Sequence, residues 1–367
     1  MIFKIDKQAF VTGIKAVAGA IKDKNTITAL NYVKAEIEGN TLTLTGFDLE
    51  IGIKTSVEIE NNSSEKITFL FDKKIVDLLV KLDNGEVEVT VSNDEIVIKQ
   101  GKSRNKRALV SAIEYPALPE ISNAQVEFEM SHSELKEMID GTIFSVSINE
   151  SRPILTGELF DIENGNFNLV AIDGFRLSIR NTTLPNDITA KFVVPAKTLR
   201  EISKLTTKDD GVIKIAKTSK HALFEYNGIT IISRLLDGEY HNYKTAIPQG
   251  SKTVVTVKTS ELIKALDRCM LVTNDKFRSP TKFVFEWDNI NLTCNSPIGN
   301  VDEDVEADFS GETLEIGFNT KFFIEALKNC DCDRVKISLN APTTPASITA
   351  TENSNFTYIV LPVRLKG

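Results

Sequence analysis

Apolar and polar residues alternate in a short run and then recur at helical spacing, and this happens at six places along the chain. Three of these places begin at Ile2 (FKIDKQAFVTGIKAVAGAI), Val126 (EFEMSHSELKEMIDGTIFSV) and Val254 (VTVKTSELIKALDRCMLVT). Three more begin at Ile67 (TFLFDKKIVDLLVKL), Lys191 (FVVPAKTLREISKL) and Leu314 (EIGFNTKFFIEALKNC). Successive starts lie 59 to 65 residues apart, a regularity that marks an internal repeat. Alternation predicts a strand with one buried face, and the residues after it predict a capped amphipathic helix. The expected caps are Asp6, Asp72, Ser131 or Ser133, Thr259 or Ser260, and Asn319. Pro195 is expected to open the fourth helix through its fixed φ. Leu262, Ile263, Leu266 and Leu271 fall on one face of the fifth helix, as do Phe322, Phe323, Ala326 and Leu327 on the sixth.

After each helix come β runs introduced by turn residues, such as Asn40, Asn84-Gly85 and Asn227-Gly228. A single strand–helix–strands unit cannot bury both faces of its sheet, so two units joined through their sheets make one domain. The expected fold is α+β, with three repeated domains at 1–121, 122–249 and 250–367. Proline-containing linkers at Ala117-Leu118-Pro119-Glu120 and Ala246-Ile247-Pro248-Gln249-Gly250 set the boundaries.

Charge changes this picture. The chain carries −8 overall, which by itself disfavours a nucleic-acid partner. Yet the six helices, taken as 6–22, 72–82, 132–144, 196–206, 260–272 and 319–330, sum to +4 and leave −12 for the rest. Basic helices on an acidic body suit a channel that attracts phosphates inside and repels them outside, although Glu134, Glu137 and Asp140 make the third helix acidic. Helices side by side lie about 9–10 Å apart, so twelve in a circle leave a lumen of roughly 25 Å while six leave almost none. A ring around duplex DNA therefore needs two copies of this chain, closing head to tail.

Composition excludes other classes. At 367 residues, with 41% hydrophobic and 26% charged residues, the chain reads as an ordinary globular protein. No apolar run approaches the roughly 20 residues that span a bilayer, nothing at Met1–Asp6 reads as a signal peptide, and a cytoplasmic location is expected. Cys269, Cys294, Cys330 and Cys332 are expected as reduced thiols, since Cys-Asp-Cys is too tight for the usual zinc spacing. His132, His221 and His241 stand at no metal-ligand spacing, and no phosphate loop, dinucleotide fingerprint or nucleophile elbow is present. The expectation is no enzyme, no metal and no cofactor. Asp173-Gly174 reads as a turn, and Asp302-Glu303-Asp304 as an exposed acidic loop. A repeat scaffold that never encircles DNA, and a hydrolase using Asp173 and Asp302, are the rival readings.

Ala171-Ile172-Asp173-Gly174-Phe175-Arg176-Leu177-Ser178 resembles the ATDGHRLA signature of the bacterial sliding clamps, the β subunits of DNA polymerase III. Segments 236–243, 274–278, 315–319 and 358–365 agree with that family in order and spacing, so the resemblance spans the chain. It implies a non-catalytic homodimeric ring with twelve helices around sequence-independent duplex DNA. Partners implied are the polymerase III α subunit, the clamp loader and repair proteins, each inserting a short hydrophobic motif.

The implied peptide pocket comprises Leu155, Ile172, Gly174, Phe175, Arg176, Leu177, His241, Ala246, Val360, Leu361, Pro362, Val363 and Arg364. Its polar member Arg176 is expected to hydrogen-bond or ion-pair with an incoming peptide. The implied dimer contact sets Lys74, Ala108 and Leu109 against Leu271 and Val272. The candidates for phosphate contact are Lys15, Lys22, Lys24, Lys73, Arg152, Lys197, Arg200, Lys204, Lys264, Arg268, Arg278 and Lys321. The chain departs from the family pattern at Phe175 (His in the signature), at His241 (Pro) and at Leu361-Pro362-Val363 (commonly Met-Pro-Met). In one member of the family two tyrosines after the equivalent of Arg152 touch DNA; here Pro153 and Ile154 follow.

Overall fold

The computed structural model describes residues 1–61, 63–205, 211–273 and 279–365. Six helices stand at the six expected places: α1 (Lys7–Ala18), α2 (Ile75–Leu79), α3 (His132–Asp140), α4 (Ala196–Lys204), α5 (Thr259–Met270) and α6 (Thr320–Lys328). Each follows directly or within a few residues of a strand, as the alternation predicts. Asp6 caps α1 by accepting the Ala9 N–H at 2.8 Å, and Asn319 caps α6 through the N–H groups of Lys321 and Phe322. Ser131 likewise accepts from Glu134, but no side chain caps α2: Asp72 accepts from Lys74, the residue before that helix.

Three further details differ from the sequence reading. Pro195 is the last residue of the strand Ala190–Pro195, and Ala196 opens α4. No side chain caps α5; Thr259 begins that helix and turns its hydroxyl inward to the Cys332 carbonyl at 2.9 Å. Leu271 lies one residue beyond α5 and is 76% exposed, because the helix has ended before its face could bury it.

The chain forms two compact units. The first comprises Met1–Leu135 and Lys197–Leu235. It holds a five-stranded antiparallel sheet in the order Glu60–Asn61, Ile2–Asp6, Glu86–Val91, Glu95–Gln100, Ser103–Ala108. It also holds an eight-stranded sheet in which Ile229–Arg234 pairs antiparallel with Ile51–Glu58, joining the strands of the first repeat to those of the second. Asn227-Gly228 turns with both residues at positive φ, the conformation that matches the twist of the flanking strands.

The second unit comprises Lys136–Ala196 and Leu236–Gly367 and holds a twelve-stranded sheet. Here Arg176–Thr183 pairs antiparallel with Phe356–Val360, the same kind of join between the second repeat and the third. Its larger core packs α5 and α6 (Leu262, Leu266, Phe323, Leu327) against sheet residues such as Phe283, Phe285, Val335 and Ile337. Asp302-Glu303-Asp304 does not form a loop: it lies within the long strand Gly299–Gly311, where Val301, Glu303 and Val305 face the core side of the sheet.

Candidate functional site

The basic candidates separate by what already holds them. Lys197 and Lys73 are half-buried and committed. The Lys197 ammonium meets the carboxylate of Asp48, whose side chain is fully buried, and Lys22 approaches the same group at 3.1 Å. Burial opposes the ionisation of Asp48, but the hydrogen bonds from Lys197 and from the Ile51 and Glu50 N–H groups outweigh it, and the carboxyl stays below the usual carboxylate range. Lys73 donates to the Ile21 carbonyl at 2.9 Å and pairs with Asp23.

Lys204, Lys264 and Arg268 are exposed but paired with Glu201, Glu261 and Glu303, the last through two bonds of 2.6 Å. Lys15, Lys24, Arg152, Arg200 and Lys321 are exposed and form no ion pair among the described residues. Arg278 lies outside the described residues. Exposed pairs of this kind are weakly held, so Lys204 and Lys264 can turn to a phosphate at small cost, whereas Lys197 cannot leave a buried carboxylate.

The residues expected around a peptide site meet in the second unit. The hairpin of Asn166–Ile172 and Arg176–Thr183 turns at Asp173, whose Oδ1 accepts the N–H groups of Phe175 and Arg176 at 2.9 and 3.0 Å. This turn occupies Asp173 fully, since Oδ2 receives Arg176 Nε at 2.9 Å. Leu155 and Leu177 are buried in a small cluster with Tyr240, Tyr243 and Ile359, flanked by Ile172, Ala246 and Ile247. Val360 is buried in the larger core of this unit. Leu155 and Leu177 therefore lie on one face of the sheet with Ile359, and Val360, the next residue along that strand, turns to the other face.

The rim expected of the site is apolar and open: Phe175 is 63% exposed, and Leu361 and Val363 are 38% and 39% exposed. Gly174, His241 and Arg364 are exposed and Pro362 half-buried. Backbone bonds fix the tail to this rim, from Leu361 N to Phe175 O at 2.9 Å and from Val363 N to Gly317 O at 2.8 Å. A β-carbon on Gly317 would stand 2.6 Å from the Val363 carbonyl oxygen and 2.8 Å from Leu365 Cδ2, so glycine is what lets the tail lie there.

Arg176 is engaged within the chain itself. It is 9% exposed, its Nη1 donates to Glu325 on α6 and its Nη2 to the Phe144 carbonyl, and its guanidinium lies over the Phe322 and Phe144 rings at 4.4 and 5.4 Å. Its Nε, Nη1 and Nη2 each donate to a protein group, so it clasps α6 to the hairpin. The partners Phe144, Phe322 and Glu325 carry no motif of their own, and only the tertiary arrangement assigns them.

Several strands end a sheet among the described residues, Val126–Ser131 and Ala190–Pro195 included, and two further unpaired edges differ from each other in charge. Ser103–Ala108 ends its sheet and pairs only with Glu95–Gln100. Residues 299–306 of the long strand pair only with Asn289–Ser296, while 307–311 pair with Thr253–Lys258. The first edge carries Arg104, Lys106 and Arg107, the second Asp302, Glu303, Asp304 and Glu306. Beside the second, Leu271 and Ile298 are exposed and Val272 lies 3.4 Å from where a β-carbon on Gly299 would stand. At the end of the first, Ala108 is exposed and Leu109 half-buried, and Lys74, just before α2, is exposed. Ile298 and the basic run were not among the sequence candidates, and charge on an edge strand is readable only once the strand order is known.

Among the described residues, no group of three His, Cys, Asp or Glu is placed to hold a metal ion, and no helix is long and apolar enough to cross a membrane. The four cysteines are free, with burial raising the Cys269 thiol to about 11.

Three family models match the chain: the N-terminal, central and C-terminal domains of the DNA polymerase III beta subunit, at residues 1–119, 129–242 and 244–364. The Beta sliding clamp of Bacillus subtilis is 31% identical over 377 residues, covering 99% of this chain and 100% of that protein. That of Pseudomonas aeruginosa is 27% identical, with both chains covered in full. Among solved structures, the DNA polymerase sliding clamp from Bacillus subtilis superimposes with a TM-score of 0.93 at 30% identity, covering 100% of each chain. The beta subunit from DNA polymerase of Streptococcus pyogenes gives 0.93 at 29% identity, again with 100% of each covered. With all three domains matched in order along its length, the chain belongs to the DNA polymerase III beta-subunit family.

Proposed function

We propose that this chain is a sliding clamp: three domains, at 1–121, 122–249 and 250–367, close with a second copy into a ring around duplex DNA and tether the replicative polymerase to it. The observation that carries ring closure is the pair of bare edges of opposite charge. Arg104 and Lys106 share the outward face of their strand, as Asp302, Asp304 and Glu306 share that of theirs; Arg107 and Glu303 both lie on the core side. Antiparallel addition of one edge to the other satisfies the bare backbone groups and matches charge on both faces at once. Lys74, Ala108 and Leu109 then flank Leu271 and Val272 of the partner copy.

A closed ring cannot leave DNA sideways, so weak phosphate contacts suffice and sliding remains possible. The exposed Lys15, Lys22, Lys24, Arg152, Arg200, Lys204, Lys264, Arg268 and Lys321 supply such contacts without reading bases. The exposed Phe175, Leu361 and Val363, beside the cluster of Leu155 and Leu177, receive the short hydrophobic motif of the polymerase III α subunit, the clamp loader and repair proteins. Binding of this kind needs no catalytic group, metal or cofactor, and its place is the cytoplasm, where the chromosome is copied. The test is retention on DNA. Loaded protein should stay on a nicked circle and run off once the circle is linearised; equal loss from both forms would leave a scaffold that never encircles DNA.

A further inference from the structure

The hairpin turn at Asp173 has a twin in the first unit. Asp48 Oδ1 accepts the N–H groups of Glu50 and Ile51 at 3.0 and 2.9 Å, as Asp173 Oδ1 accepts those of Phe175 and Arg176. The hairpin registers agree: Phe47 faces Gly52 as Ile172 faces Leu177. So does the strand added at the edge, where Gly52 faces Ile232 as Leu177 faces Ile359. Arg234 N donates to Glu50 O at 2.8 Å, as Leu361 N donates to Phe175 O at 2.9 Å. Leu49 keeps the left-handed backbone of Gly174, φ 74° against 92°, a conformation that costs a leucine energy and a glycine almost none.

With the backbone held constant, the side chains that differ are informative. Glu50 stands in place of Phe175 and Arg234 in place of Leu361, both exposed, and Glu50 is paired with Lys22 at 3.1 Å. An apolar anchor arriving there would have to desolvate charges without pairing them. Gly52 stands in place of Leu177, and the space its side chain would fill is taken from the linker: Leu118 Cδ2 lies 2.4 Å from the position of a β-carbon on Gly52. Leu118 also packs on the cluster of Leu30, Phe47 and Tyr115, which corresponds to that of Leu155, Ile172 and Tyr243.

We infer that the join between the first and second repeats is a copy of the peptide site closed by this chain's own side chains, and that Glu50, Arg234 and Leu118 limit the chain to one peptide site. The inference rests on reading the second join, at Phe175 and Leu361, as the site for a short apolar peptide. The repeat could have offered two equivalent sites, and partners then would not compete for one. Sealing the first makes occupancy by different partners mutually exclusive on each chain.

The test is stoichiometry. A hexapeptide with the Gln-x-x-Leu-Phe pattern, titrated calorimetrically into the wild-type chain, should bind once per chain. The variant Glu50→Phe/Arg234→Leu/Leu118→Ala should bind it twice. Transferring the closing pair the other way, Phe175→Glu/Leu361→Arg, should weaken binding at least tenfold with circular dichroism and mass in solution unchanged. A folded triple variant that still binds once per chain overturns the inference. Should the triple variant not fold, undiminished binding by Phe175→Glu/Leu361→Arg overturns it instead. A wild-type chain that takes up no peptide removes the pocket reading itself, and this inference with it.

Discussion

Lys7, the first residue of α1, extends its ammonium to within 3.0 Å of the Leu82 carbonyl, in the turn that ends α2. The same repeat position does the same work elsewhere. His132 places Nε2 3.3 Å from the Ile202 carbonyl in α4, and Thr259 donates to the Cys332 carbonyl after α6. Their backbone N–H groups also match, donating to Gly85, Gly211 and Asp333. Three different side chains thus satisfy carbonyls that a helix end leaves without partners, and each ties the two halves of one domain together. Lys7→Met should lower stability by about 1.5–3 kcal/mol and Thr259→Val by about 1 kcal/mol, because each leaves a partly buried acceptor unpaired. Urea unfolding at pH 7 measures both; unchanged midpoints would make these hydrogen bonds incidental.

Asp48 gives a dependence on pH. Its folded carboxyl titrates below its ordinary value of 3.8, so the stabilisation it contributes is fully present above that value and fades as the pH falls through the lower, folded one. Asp48→Asn should therefore cost on the order of 3 kcal/mol at pH 7, leaving Lys197 without its buried partner, and the difference from wild type should narrow below about pH 4. A constant difference from pH 7 to pH 3 would mean that shape and not charge is what position 48 supplies.

Lys197 and Arg200 sit three residues apart on α4, and the sequence offered both as phosphate contacts. The structure separates them: Lys197→Met should lower stability, whereas Arg200→Glu with Lys204→Glu should leave it within roughly 0.5 kcal/mol. The second pair should instead weaken retention on primed circular DNA, and the slope of log affinity against log salt should fall by about 0.9 for each phosphate no longer neutralised. A drop in stability with retention intact would place these residues in the fold and not in the channel.

The six strand–helix units and most caps were legible because they depend on residues within a few positions of each other, as Asp6 and Ala9 do. What was not legible depends on residues far apart in sequence. Asp302-Glu303-Asp304 is rich in charge and poor in β-formers, yet it is held as strand by pairing to Asn291, Leu292 and Thr293. Arg176 lies in the motif that identified the site, but its role follows from Glu325, distant in sequence, and from two aromatic rings that no local pattern connects to it. Phe175, Leu361 and Val363 entered only through resemblance, and the structure adds that all three are exposed and that Leu177 and Val360 face opposite sides of their sheet.

The bare edges predict a reciprocal charge experiment. Arg104→Glu/Lys106→Glu should shift the chain from dimer to monomer in sedimentation, and so should Asp302→Lys/Asp304→Lys. Each reversal sets like charges opposite one another across an added strand. Mixing the two variants should set opposite charges across both interfaces and give a closed dimer with one copy of each variant. Leu271→Ala with Leu109→Ala should also give monomers, because less apolar surface is then covered between the copies. Dimers of unchanged affinity in all these variants would put the interface elsewhere.

The tail can be tested apart from the ring. Deleting Leu361 through Gly367 removes the exposed Leu361 and Val363 but also two backbone bonds, to Phe175 and Gly317, and the cover Leu365 gives Gly317. Loss of peptide binding after that deletion would therefore mix anchoring with order. Phe175→Ala with Leu361→Ala is cleaner, since both side chains are exposed and the backbone bond between the two residues survives. Truncating one apolar anchor typically removes about 1–3 kcal/mol of binding, so each change should weaken a Gln-x-x-Leu-Phe peptide about tenfold to a hundredfold. Gly317→Val supplies the opposite perturbation, leaving both anchors present but pushing the Val363 carbonyl and Leu365 out of place. Fluorescence anisotropy with labelled peptide should register all three variants as weaker, while circular dichroism and dimer mass stay as in wild type. If the double alanine variant binds as tightly as wild type, the peptide does not rest on this rim, and Phe175 and Leu361 must be withdrawn from the site.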